Sequence, residues 1–427
     1  MSPESPVRSP AEDGTAAAFP PGVALPPEVL AELPPDMAFA VWQVLRSVTL
    51  WTGEPEHRRA AMFDAAYMKE WERRLLTAPL APEARFPLAV IVNELAGPAP
   101  GGGRLSWACV CVADWALGRG ATRAALAFAE AAARAAPEHP RYAWLVGRLM
   151  RRHGNPRGGE RWLRRALKLA ISQRDWETQA RALTGLGNLC VETGRYPEAR
   201  ELHTRSLRVS RRWRLREQEG MALHDLMVIA IEEGNRVEAE LHACGALDAY
   251  GQSPQRLCKL AHDVAYWWMD GGYYRRALGI FEALLGHFPR PDDRMQVVGN
   301  IGRAAGGCGD RAAFDAAWHA SDALDPLLVT RETAATALLE LAYGAVSLGD
   351  WPLAASIAQR AADAARDRSE ATVLSRASDL LEAVQHPNPT PSVAAARSGS
   401  GTAPADRLAA ALVASLREPA IEAVALA

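Results

Sequence analysis

Ala180-Arg-Ala-Leu-Thr-Gly-Leu-Gly-Asn-Leu-Cys-Val-Glu-Thr-Gly-Arg-Tyr-Pro-Glu-Ala199 is the clearest copy of a phrase that recurs along the chain. It holds an apolar and small pair in mid-helix (Leu186, Gly187), a turn glycine eight residues on (Gly194), then an aromatic (Tyr196) and a small residue (Ala199). A helix-turn-helix unit of this kind cannot bury its apolar face alone, so it stacks on copies of itself. The copies are present. Pairs stand at Val112-Ala113, Val146-Gly147, Leu186-Gly187, Leu226-Met227, Val264-Ala265, Ile301-Gly302 and Leu341-Ala342, spaced by 34, 40, 40, 38, 37 and 40 residues. Eight residues beyond the start of each pair lies a glycine, at 120, 154, 194, 234, 272, 309 and 349, suited to ending a helix in the left-handed region. A small residue then lets the second helix approach the first, as Ala125, Ala199, Ala239, Ala277 and Ala354. Two copies deviate: Gly159 is displaced by one position, and Phe314 stands where a small side chain is expected.

Three segments carry a family likeness: Gly-Asn-Leu-Cys-Val-Glu-Thr-Gly-Arg-Tyr-Pro-Glu-Ala (187–199), Gly-Gly-Tyr-Tyr-Arg-Arg-Ala-Leu-Gly-Ile-Phe-Glu-Ala-Leu (271–284) with Pro289 behind it, and Leu-Gly-Asp-Trp-Pro-Leu-Ala (348–354). The chain resembles the tetratricopeptide repeat (TPR) family over about residues 104–366, and the spacing near 40 resembles the longer repeats of bacterial regulators and scaffolds. The resemblance implies an all-α, right-handed superhelical solenoid of about seven repeats.

Around the repeats, residues 1–35 are rich in proline and read as a disordered leader. Residues 36–96 form an N-terminal helical module of three helices without the repeat phrase, the first capped by Asp36, the second opening near Pro55-Glu56 and the third following Pro82. Gly97 to Gly103 breaks the chain before the solenoid of 104–366. Residues 367–385 read as a capping helix, 386–404 as a linker of Pro, Ser, Gly and Ala, and 405–427 as an apolar helical tail broken at Pro419. That tail can dock in a groove as a self-inhibitory plug, contact a partner, or fray.

With 427 residues, 49% apolar content and a net charge of −2, the chain can bury a large core. No signal peptide or membrane-length apolar run is visible, so it reads as soluble and cytoplasmic. Six cysteines lack the spacing of a zinc site and read as small buried thiols. Only three of 48 basic residues are lysine, a usage typical of a GC-rich bacterial genome. No phosphate-binding loop, zinc-protease, nucleophile-elbow or Cys-x-x-Cys sequence occurs, which points to a non-enzymatic protein with no cofactor and no metal.

The near-zero net charge hides an asymmetry. Between Arg141 and Arg216 stand 19 basic and 6 acidic residues, +13, leaving −15 for the rest. A surface of one sign concentrates ligands of the other. The resemblance implies that positions two, five and nine of each first helix face the concave groove; here these are Arg141, Trp144 and Arg148, then Arg181, Thr184 and Asn188, with Arg152 close by. Asn188 falls where some peptide-binding members keep an asparagine, but the lysines that complete their carboxylate clamp are missing. His224-Asp225 and His262-Asp263 hold equivalent places in consecutive repeats, so two imidazoles are expected to line up, as ligands or through duplication alone. Trp144, His224, His262, Tyr266 and Tyr343 are expected to offer flat surface. Arg161, Arg164, Arg165 and Lys168, then Arg205, Arg208 and Arg212, read as one face of each second helix.

The leading reading is a scaffold whose groove binds a segment of a partner protein, an acidic one, in bacterial regulation or complex assembly. The alternatives are RNA or other nucleic acid on the arginine-rich 141–216 segment, and the ligand-sensing part of a regulator. Alanine-rich helices such as 121–136 also allow self-association.

Overall fold

A computed structural model describes residues 31–59, 62–77, 80–97, 102–251, 253–288, 291–322, 333–385 and 403–417. Twenty α-helices and no strand occur among them. The leader up to residue 30, the linker from 386 to 402 and the tail beyond 417 lie outside the described residues. The chain divides into two compact units, residues 1–195 and 196–427.

The first unit opens with α1 (Pro35–Gly53), α2 (Glu56–Arg59), α3 (Ala65–Thr77) and α4 (Pro82–Ala96). α1 starts one residue before Asp36, with Pro35 in its first turn, where a missing N–H costs nothing. The second helix expected from Pro55 is two: the short α2, then α3, whose start is fixed by Asp64 accepting from the Tyr67 N–H at 2.8 Å. The repeats follow as α5 (Gly102–Gly118) with α6 (Thr122–Ala135), α7 (Pro140–Arg152) with α8 (Pro156–Gln173), and α9 (Trp176–Glu192). α1 packs on α4 and α6. The alanines of α6 at 124, 125, 129, 131 and 132 are fully buried, so its small face is spent on internal packing.

The second unit begins with α10 (Tyr196–Arg212) and continues as the pairs α11 (Arg216–Glu232) and α12 (Arg236–Tyr250), α13 (Pro254–Asp270) and α14 (Tyr274–Leu285), α15 (Pro291–Cys308) and α16 (Arg311–Asp322), and α17 (Ala334–Ser347) and α18 (Trp351–Asp367). α19 (Ala371–Gln385) packs on α18 and α17, and α20 (Ala403–Arg417) on α12, α13 and α14.

One turn chemistry builds the repeats. All seven turn glycines have φ between +71° and +82°. Behind each, the next N–H reaches five residues back to the helix it leaves, as in Asn235 to Ala230 (2.8 Å) and Asp350 to Ala345 (3.0 Å). Where that next residue is Asn155, Asn235, Asp310 or Asp350, its side chain accepts from the N–H three residues on, at 2.9 to 3.3 Å. A dipeptide Gly-Asn or Gly-Asp thus ends one helix and starts the next.

Close helix crossings use the small pairs. A Cβ on Gly159 would lie 3.0 Å from the Gly147 carbonyl oxygen and 3.1 Å from the Arg151 nitrogen, so the displaced glycine is the true crossing point of α7 and α8. Phe314 fits because its partner gave up volume: a Cβ on Gly344 would lie 3.0 Å from its ring. Gly299, Gly302 and Gly306 bring α15 onto α17, with Ala337, Leu341 and Gly344 filling the space their side chains would need. Of the cysteines, Cys109 and Cys190 are buried and Cys244 is exposed on α12.

Candidate functional site

In the first unit, spacings of three, four and four put Arg141, Trp144, Arg148 and Arg152 on one face of α7. Arg181, Thr184 and Asn188 share a face of α9 in the same way. The two meet at Trp144. Its ring has the Arg148 guanidinium 5.5 Å from its centroid and that of Arg181 at 5.0 Å. Glu177, one turn back, holds Arg181 at 2.6 Å, and an Arg151–Glu192 ion pair ties α7 to α9. Trp144 is only 8% exposed, so it serves as the platform that orders two guanidinium groups rather than as an open flat surface. Arg141 and Arg152 are exposed, Asn188 is half-buried and Thr184 is buried. Two ordered guanidinium forks with exposed cations beside them suit a carboxylate-bearing chain, since such hydrogen bonds are charge-assisted and bidentate.

On α8, Arg157, Arg161, Arg164 and Lys168 are exposed at spacings of four, three and four. Arg165 leaves that face: it is half-buried and donates to the Pro137 carbonyl at 2.9 Å.

In the second unit, His224 and His262 converge on one carboxylate. His224 Nε2 lies 3.0 Å from Asp263 Oδ2 and His262 Nδ1 3.2 Å from Oδ1. Tyr250 Oη stands 3.4 Å from His224 Nδ1, and Asn300 Nδ2 lies 3.2 Å from His262 Nε2. Burial pushes the Asp263 carboxyl up, but the two imidazole hydrogen bonds outweigh it and hold the group well below the usual range. Further along, Tyr266 donates to Glu340 at 3.2 Å, and Arg303 joins the same carboxylate at 2.8 Å and Asp270 at 3.2 Å. Tyr343 is buried, with the guanidinium groups of Arg303 and Arg376 5.3 and 5.6 Å from its ring centroid. His224 and His262 therefore each turn Nε2 to the next repeat, and Tyr266 reaches two repeats on to Glu340.

The links between repeats share one signal in the sequence. His224 and Asp263, His262 and Asn300, and Arg303 and Glu340 are 39, 38 and 37 residues apart, one repeat period each. Polar partners one period apart sit at equivalent heights on adjacent first helices and can hold the repeats in register. Among the described residues, no group of three or more His, Cys, Asp and Glu is placed to hold a metal ion.

His203 on α10 is fully buried, with Nδ1 3.5 Å from Asp225 Oδ2, too long for a good hydrogen bond. Burial pulls its pKa down and Asp225 only partly restores it. Below about pH 6.5 the unfolded chain takes up a proton that the folded one refuses, so stability falls with pH from there. Substitution His203→Leu is expected to flatten the loss of urea resistance between pH 7 and 5; an unchanged slope contradicts this assignment.

A tetratricopeptide repeat model matches residues 141–212, which span α7 to α10. No curated protein matches the chain in sequence. Among solved structures, apo RapI is 15% identical, covers 62% of this chain and 99% of its own, and has a TM-score of 0.47. A Rap protein complexed with competence and sporulation factor is 12% identical over 81% of this chain and 98% of its own (TM-score 0.43). Yeast Tom70 is 13% identical over 81% and 64% (TM-score 0.44). No described helix is long and apolar enough to cross a membrane. With the family model on 141–212 and one left-handed glycine turn repeated seven times, the described residues form an all-α repeat fold of the tetratricopeptide type.

Proposed function

We propose that the chain is a non-enzymatic scaffold of the bacterial cytoplasm, acting in regulation or complex assembly, and that its first unit binds an acidic segment of a partner protein. The observation that carries this reading is the pair of guanidinium groups ordered on Trp144 within the family-matched repeats. Arg148 and Arg181 supply the central charge, Arg141 and Arg152 flank them, and Asn188 offers an amide to the bound backbone. His224, His262 and Tyr266 hold the register of the second unit in this proposal and do not touch the partner. Reversing Arg148 and Arg181 to glutamate is expected to weaken partner capture at least tenfold while leaving the helical circular dichroism and the melting curve in place. Undiminished capture would move the site elsewhere.

A second reading has its own observation, the four exposed cations on α8. They suit nucleic-acid phosphate, and binding through them must weaken steeply with salt as counterions are released.

A further inference from the structure

One repeat of the second unit departs from the pattern of the other six, and a cavity lies where it does. Four places beyond the start of the small pair the others carry Ala, Met or Cys, and nine places beyond it they carry Ala, Asn, Arg or Asp. In this repeat the two residues are Trp268 and Tyr273. With Trp267, Arg236, Gly234 and Gly271 they line a half-open cavity of about 170 Å³ between the turn that leaves α11 and the turn that leaves α13.

The walls are flat and carry positive charge. Trp267 and Trp268 have ring centroids 6.2 Å apart and planes 28° from parallel. The Arg236 guanidinium stands 4.0 Å from the Tyr273 ring centroid and 5.9 Å from that of Trp267, and the Arg276 guanidinium stands 5.3 Å from Tyr273. Glu240, nearly fully buried, balances Arg236 at 3.0 Å. Asp406, the acid beside Arg276, is 59% exposed, where water weakens its pull. One donor of the wall is unmet: Trp268 is 1% exposed, and its indole N–H is buried without a hydrogen-bond partner. A buried indole N–H ordinarily has an acceptor.

We propose that this cavity binds a small molecule made of a single flat ring with a carboxylate. Volume sets the size, since an apolar cavity of about 150 Å³ takes benzene, so this one takes one ring with a short substituent. The aromatic walls take the ring, the Trp268 indole N–H supplies the missing hydrogen bond to a carboxylate oxygen, and the two guanidinium groups favour an anion over a cation. The site belongs to the second unit and does not depend on the acidic-segment site proposed for the first.

The test titrates the full-length protein with benzoate and, as the probe of opposite charge on the same ring, benzylammonium. Calorimetry reads affinity. The indole N–H resonances of isotope-labelled protein read contact, the Trp268 signal being the one absent from Trp268→Phe. Benzoate is expected to bind saturably and shift the Trp268 resonance, with benzylammonium at least tenfold weaker. A Cβ added at Gly271 would meet only Tyr273 at 3.4 Å and the Trp267 carbonyl at 3.5 Å, ordinary contacts, so Gly271→Leu can occupy the cavity while the fold stays intact. That variant should lose at least tenfold in benzoate affinity with its melting curve in place. Trp268→Phe, which keeps a ring and removes the donor, should weaken benzoate by a similar factor. No saturable benzoate binding, no shift at Trp268, equal binding of benzylammonium, or undiminished affinity in both variants overturns the proposal.

Discussion

Replacing Gly306 by valine is expected to be among the most damaging single changes in the second unit. A Cβ at that position would sit on the Gly344 carbonyl, and that obstacle is backbone, which no rotamer change can move. α15 and α17 would have to separate along their length, losing the contacts around Gly299 and Gly302 as well. Overpacking of this kind costs about 1–3 kcal/mol and sometimes more, well above the helix-propensity gain from losing a glycine. Gly279 on α14 is the control, because nothing lies within 4 Å of its added Cβ. Gly279→Ala should leave the urea midpoint unchanged or raise it, whereas Gly306→Val should lower it; equal midpoints would refute the close crossing.

The second large effect is expected at Glu340. This carboxylate is fully buried and receives Arg303, whose side chain is 6% exposed, and the Tyr266 hydroxyl. The attraction of Glu340 offsets the burial of Arg303 and keeps the guanidinium firmly charged. Glu340→Ala strands that charge, with the largely exposed Asp270 as its remaining acid. Breaking a buried pair from one side costs about 3–5 kcal/mol, while replacing both members by apolar residues of similar volume is often neutral. The double variant Arg303→Met, Glu340→Leu is therefore expected to recover most of the stability lost in Glu340→Ala. A double variant as unstable as the single would show that the pair contributes more than mutual neutralisation.

The fold was legible because the turn inside each repeat is marked by glycine, the residue that enters the left-handed region without strain. Seven glycines at one offset announced seven left-handed helix ends, and the backbone adopts them at every one. Arg174, Arg214 and Ser369 close α8, α10 and α18 in the same left-handed conformation, and none is a residue type that marks it. Those second-helix ends were invisible for that reason. Gly159 and Phe314 looked like departures from the pattern because a crossing point depends on two side chains at once, and Gly147 and Gly344 supply the missing halves.

The candidate site was legible only in part. The family resemblance implied groove-facing places for Arg141, Trp144, Arg148 and Arg181, but that Trp144 would be covered by guanidinium groups depends on the distance between α7 and α9. His224 and His262 were conspicuous as a repeated pair; their common partner Asp263 was not, since it belongs to the second pair alone. Arg303 and Glu340 left a trace in the sequence as opposite charges one period apart, a signal that requires the repeat length to be known first.

If the ordered arginines on the first unit hold an acidic protein segment, affinity capture from the native lysate should recover its owner. Wild-type protein and the Arg148→Glu, Arg181→Glu variant would be compared with and without nuclease, with mass spectrometry of what each retains. The expected result is a discrete protein that survives nuclease on the wild type and is lost from the variant. Retention that disappears with nuclease, or the same protein held equally by both, would contradict it.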